Sequence, residues 1–102
     1  MAKKGMSDEN VGDLAQAFRL LSDETRLKIV FQLARQEENV GGLCKLLGLA
    51  QPTVSHHLGL LRMGRLIINR RNGKQVIYSL NEDLFSSVSQ KLAGCLPGFG
   101  KK

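Results

Sequence analysis

Between residues 39 and 81 this 102-residue chain contains no aspartate and no glutamate. All nine acids lie outside that stretch: Asp8, Glu9, Asp13, Asp23, Glu24, Glu37, Glu38, Glu82 and Asp83. The stretch does hold Lys45, Arg62, Arg65, Arg70, Arg71 and Lys74. The nine basic residues elsewhere balance the nine acids, so the whole formal charge of +6 resides in residues 39–81. A contiguous basic segment without acids is what a polyanion-binding face requires, and double-stranded nucleic acid is the polyanion expected.

Other absences narrow the class further. No apolar run approaches bilayer length, and the lysines near the start are not followed by a hydrophobic segment. Neither a membrane span nor a secretory signal is therefore expected, and the cytoplasm is the expected location. The two cysteines, Cys44 and Cys95, are far apart and form no C-x-x-C pair, which argues against a disulfide framework or a structural zinc site. There is no carboxylate pair, nucleophile constellation or phosphate loop in a setting suited to catalysis, so an enzyme is not expected. Repeats and low-complexity segments are also missing. With 42% hydrophobic and 24% charged residues the composition is that of one globular domain. A domain this small buries a modest core, which makes a homodimer the expected state.

The periodicities give an element order. Residues 1–10 read as a flexible arm, the folded domain as 11–96, and 97–102 as a flexible basic tail. Val11, Leu14, Ala15, Phe18 and Leu21 recur at helical spacing. Ser22-Asp23-Glu24 supplies a cap and an acidic first turn for a second helix, with Leu27, Val30, Phe31 and Ala34 expected on its inner face. A short third helix covers Val40 to Leu47, pointing Leu43, Leu46 and Leu47 inward and stopping at Gly48. Pro52 suits the first turn of a fourth helix that runs to Met63. Two short helices joined by a tight glycine-containing turn make a helix-turn-helix. From Leu66 the period changes. Leu66–Arg71 and Lys74–Leu80 are rich in β-formers and flank Asn72-Gly73, which predicts a type I′ hairpin with Arg71 opposite Lys74. Asn81-Glu82-Asp83 then opens a last helix with Leu84, Phe85, Val88 and Leu92 on one stripe. The fold class is mainly α with a two-stranded β wing, a winged helix-turn-helix.

On the fourth helix a 100° projection puts Val54, Leu58 and Leu61 on the core side. Pro52, His56 and Gly59 lie opposite, flanked by Thr53 and Ser55. Small and polar residues on that side let a helix sit deep in the major groove, with Gln51, Thr53, Ser55 and His56 as candidates for base edges. Arg62 and Arg65, near the helix end, suit phosphates. Arg70, Arg71, Lys74 and Gln75 are the candidate contacts from the wing. His57 lies nearer the core side and reads as a structural histidine.

Leu49-Ala-Gln-Pro-Thr-Val-Ser-His-His-Leu58, preceded by Leu20-Leu-Ser-Asp-Glu-Thr-Arg-Leu27 and followed by Arg70-Arg-Asn-Gly-Lys-Gln-Val-Ile-Tyr-Ser-Leu80, resembles the ArsR/SmtB family of bacterial repressors. The resemblance covers roughly residues 14–95. It implies a homodimer joined through the first and last helices, binding to operator DNA, and an inducer that lowers DNA affinity. It also implies sensor sites that can be checked residue by residue. The arsenic and cadmium type looks like C-V-C-D-L-C, where this chain has Asn39-Val-Gly-Gly-Leu-Cys44. One thiolate does not make the two- or three-thiolate set that trivalent arsenic needs. Persulfide-sensing members place a cysteine where Asn39 stands. The zinc type aligns with Glu82, Leu84, Cys95 and Gly98, of which only Glu82 and Cys95 are ligands, short of a tetrahedral set. The remaining metal candidates are thus Cys44, Glu82 and Cys95, no cofactor is expected, and the inducer is unidentified. The alternatives are a thiol- or soft-metal-responsive repressor using Cys44, Cys95 or both, or a protein-interaction module that keeps the fold alone.

Overall fold

Five helices and one hairpin carry residues 7–99, the part of the chain described by the computed structural model. In chain order they are α1 (Asp8–Leu21), α2 (Glu24–Arg35), α3 (Val40–Leu47), α4 (Gln51–Met63), β1 (Ile67–Asn72), β2 (Gln75–Leu80) and α5 (Glu82–Cys95). The first six residues of the expected arm and residues 100–102 of the expected tail lie outside the described residues.

Each helix start has a local cause. Ser7 caps α1 by accepting from the Asn10 N–H at 3.1 Å, and Asp8 and Glu9 occupy the first turn. Residues 8–10 are therefore helix, where the sequence suggested an arm. Asp23 caps α2 through the Arg26 N–H at 2.9 Å, and Asn39 caps α3 through the Gly42 N–H at 2.7 Å. Gly48 ends α3 in the left-handed region, φ +66°, which a glycine enters without steric penalty. Ala50 precedes α4 without a side-chain cap, and Pro52 sits in its first turn.

The core gathers Ile29, Val30 and Leu33 of α2, Leu43 of α3, Val54, Leu58 and Leu61 of α4, and Leu66 and Ile67 at the entry to β1. Ala17 closes it from α1, while Leu84, Phe85 and Val88 of α5 pack against it. Two expected faces need correction, and a third apolar stripe serves two sides. On α2 the inward set is Ile29, Val30 and Leu33; Phe31 and Ala34 are exposed. On α3 Leu46 points outward, with Leu43 buried and Leu47 half-buried. On α1 the apolar stripe divides: Leu14, Ala17, Leu20 and Leu21 turn inward, and Val11, Ala15 and Phe18 turn outward. The common reason is that these helices carry more apolar surface than one side of a small core can cover.

The hairpin is shifted by one residue from the expected one. Asn72 pairs with Gln75, Arg71 with Val76 and Arg70 with Ile77, so Arg71 does not face Lys74. The two turn residues are Gly73 and Lys74, and only Gly73 has positive φ, at +66°. That fits a type II′ turn, with glycine first, and not the type I′ expected of Asn-Gly as the central pair. A feature absent from the sequence reading adds a third partner to the sheet: Glu38 and Tyr78 exchange two backbone hydrogen bonds, of 3.1 and 2.8 Å. On the other side of the molecule, Lys91 of α5 reaches Asp13 of α1 at 3.6 Å.

The corrected face of α3 has a direct consequence. Leu43→Ala should lower unfolding free energy by about 2–5 kcal/mol, as for other fully buried leucines. Leu46→Ala should change it by under about 1 kcal/mol. Urea unfolding of both variants checks this, and equal losses would contradict the burial pattern.

Candidate nucleic-acid interface

The inner side of α4 is fixed. Val54, Leu58 and Leu61 have at most 1% of their surface exposed. The helix therefore cannot roll, and the side chains opposite are held in one orientation. Gln51, Thr53, Ser55 and His56 are all exposed there. A side chain at Gly59 would meet nothing within 4 Å, so this part of the helix surface is open.

His57 turns the other way and is tied down. Its Nδ1 lies 3.3 Å from an Arg26 guanidinium nitrogen and 3.9 Å from the Asp23 carboxylate. Arginine only donates, so the Arg26 contact uses Nδ1 as an acceptor, whereas the Asp23 contact is an ion pair only with a protonated ring. Arg26 also donates through Nε to the Leu20 carbonyl at 2.7 Å. One guanidinium thus links the end of α1, the start of α2 and the middle of α4. The Arg26 backbone N–H, and then the nearby charges of Arg26 and of His57 when protonated, hold the Asp23 carboxyl below the usual aspartate range against an opposing desolvation effect. The His56 and His57 rings meet edge to face, 5.5 Å between centroids. Arg26 was absent from the sequence-based candidates; its only signal there was its place in the Asp-Glu-Thr-Arg run.

At the far end of α4 the chain makes a Schellman closure: Arg65 N–H donates to Arg62 O and Leu66 N–H to Leu61 O, both at 3.0 Å. The left-handed position of this motif, where glycine is usual, is held by Arg65 at φ +65°. Asn81 Nδ2 donates to the Arg65 carbonyl at 2.9 Å and steadies the turn. The neighbouring Gly64 has its own reason, since a Cβ there would land on Leu20 Cδ1. Arg62 and Arg65 are both exposed beside β1.

In the hairpin Arg71 and Lys74 are exposed. Gln75 accepts from Asn39 Nδ2 at 3.1 Å, joining the start of α3 to the start of β2. Arg70 is not an independent cation. Its guanidinium grips Glu37 with both terminal nitrogens, at 2.7 and 2.9 Å. Those hydrogen bonds hold the Glu37 carboxyl below its usual range. Counting charge along the chain missed this pairing because Glu37 precedes the acid-free segment and folds back over it. Two of the three metal candidates lie at opposite ends of one helix. Cys44 is half-buried on α3, while Glu82 and Cys95 are the first and last residues of α5, about 20 Å apart along the axis. Among the described residues no group of three or more His, Cys, Asp or Glu side chains is placed to hold a metal ion.

A left-handed arginine predicts a measurable strain. Arg65→Gly should raise unfolding free energy by about 0.5–1 kcal/mol, the left-handed penalty less the added chain entropy of glycine. A loss of stability in urea titration would show that the Arg65 side chain contributes more to the fold than its backbone geometry takes away.

Residues 23–68 match the profile of "Bacterial regulatory protein, arsR family". The HTH-type transcriptional regulator KmtR of Mycobacterium tuberculosis is 37% identical over 78 residues, which are 76% of this chain and 60% of that protein. A cadmium resistance transcriptional regulatory protein CadC homolog of Staphylococcus aureus is 35% identical over 91 residues, 88% of this chain and 75% of the relative. This chain therefore spans less than two thirds of the length of KmtR and three quarters of the CadC homolog. Among solved structures, the homodimeric winged helix-turn-helix DNA-binding domain Mb0332 of Mycobacterium bovis, a possible ArsR-family transcriptional regulator, superposes with a TM-score of 0.70. It shares 28% identity and covers 88% of this chain and 85% of its own.

Proposed function

The chain belongs to the arsR family of bacterial regulatory proteins, and from that premise we propose that it is a sequence-specific DNA-binding repressor acting as a homodimer. The observation that carries the reading is the two-sided α4: one side sunk in the core, the other presenting exposed Gln51, Thr53, Ser55 and His56. In this reading α4 lies in the major groove. Gln51 offers the bidentate amide that matches adenine, and the hydroxyl and imidazole groups contact neighbouring base edges. Arg62 and Arg65 take phosphates, and Arg71 and Lys74 reach the flanking backbone from the hairpin tip. The first turn of α4, which has no side-chain cap, adds backbone N–H groups and a positive dipole end suited to phosphate.

Dimerisation is proposed through the first and last helices. Val11, Ala15 and Phe18 form an exposed apolar stripe on α1, and Leu96 and Phe99 add apolar surface just beyond α5. A second copy covering these residues also supplies a second α4, so the operator expected is a palindrome with half-sites about 34–36 Å apart. The agent that releases the DNA is unidentified.

Selection of duplexes from random-sequence DNA, followed by gel shift, tests the proposal. A palindromic consensus should emerge, with affinity that falls steeply as salt rises. Gln51→Ala should relax preference at one base pair per half-site, by about 1–3 kcal/mol. Arg71→Gln should weaken all sequences alike and make the salt dependence shallower by about one phosphate per subunit. Binding indifferent to sequence would overturn the reading.

A further inference from the structure

Arg70 and Glu37 form a bidentate pair on the hairpin, outside the core and outside the reading helix. Both side chains are about half exposed, at 53% and 51%. A pair this wet adds little to stability, so the fold alone does not explain it. Its position is nevertheless fixed. The Glu38–Tyr78 backbone bridge pins the α2–α3 connection along the edge of β2. Side chains alternate along that connection, so Glu37 and Glu38 project to opposite sides. Glu38 folds its carboxylate against Gly42, while Glu37 reaches across β2 to Arg70, the cross-strand partner of Ile77. Glu37 is thus held on the basic hairpin by the backbone.

We propose that Glu37 is a built-in competitor that occupies the Arg70 fork in place of a DNA phosphate and must be displaced when the hairpin engages DNA. The proposal rests on reading the hairpin as a DNA-contacting wing. Its chemistry is the equivalence of the two anions. A carboxylate and a phosphate both present two oxygens to the parallel N–H donors of arginine, so one excludes the other. In the free protein the wing offers Arg71 and Lys74 to solvent while Arg70 is neutralised. On DNA, Arg70 exchanges carboxylate for phosphate, and the released Glu37 carboxylate then stands beside the backbone as a like charge. Both effects lower affinity and leave the base-reading side chains of α4 untouched. Glu37 sets how tightly the repressor holds DNA and has no part in choosing the sequence.

The test uses the full chain and two duplexes: one recovered by wild-type selection from random DNA, and one of mixed sequence. Glu37→Gln should bind both about threefold to tenfold more tightly per subunit engaged, with salt dependence steeper by up to about one counterion. Thermal melting of the variant should be nearly unchanged. Arg70→Gln in the Glu37→Gln background should remove the gain. Affinity that is unchanged or lower in Glu37→Gln would overturn the proposal and make Glu37 a strut that positions the wing. If Arg71→Gln and Lys74→Gln also leave binding unchanged, the wing reading itself fails, and the proposal with it.

Discussion

The outer face of α4 is usable because its inner face is immobile. Val54, Leu58 and Leu61 are sunk among Ile29, Leu43, Leu66 and Ile67, all of them essentially without exposed surface. Truncating any of them would leave a cavity worth several kcal/mol, a large share of what a small domain has in total. That packing sets the roll of the helix to within the tolerance of a close-packed core. Roll is the variable that matters, because one residue turns a helix by 100° and would swing Ser55 or His56 away from any groove. Polar groups that read an edge work only if a shell behind them holds their position.

Around that layer the polar contacts do a second job, which is to tie separate elements to α4 or to the hairpin. Arg26 joins α1, α2 and His57 of α4. Asn81 secures the left-handed turn at Arg65, and Asn39 caps α3 while reaching Gln75. Each connects a short element that would otherwise fray. Arg65 itself accepts a strained backbone in the place where glycine is easiest, and in doing so keeps a cation at the exit of α4. Strain held by its surroundings at such a point is consistent with a role outside the fold.

Much of this was legible beforehand, and what was not has a physical reason. The end of α3 and the start of α4 followed from Gly48 and Pro52, residues whose backbone chemistry acts locally, while the Asn39 cap of α3 emerged only from the structure. The inner face of α4 followed from its spacing. The hairpin was legible but its register was not, since Asn72-Gly73 serves either as the central pair of a turn or, as here, as the closing residue and the first central one. Apolar stripes on α1, α2 and α3 do not say which of their residues meet the chain's own core: spacing alone points Phe31 and Leu46 inward, yet both are exposed, as are Val11 and Phe18 of α1. Glu37 with Arg70 and Arg26 with His57 are contacts between distant parts of the chain, set by the fold and invisible to spacing.

The central claim is that the outer side of α4 and the hairpin tip together form the surface that meets DNA, while the exposed stripe of α1 meets a second copy. Hydrogen exchange on the free protein and on its complex with a selected duplex tests that division most directly. Amides of residues 51–59 and 72–75 should slow when DNA is added, while those around Val11 and Phe18 should be protected already in the dimer and change little. Protection that appears along α1 and α5 on adding DNA, with residues 51–59 unaffected, would contradict the account.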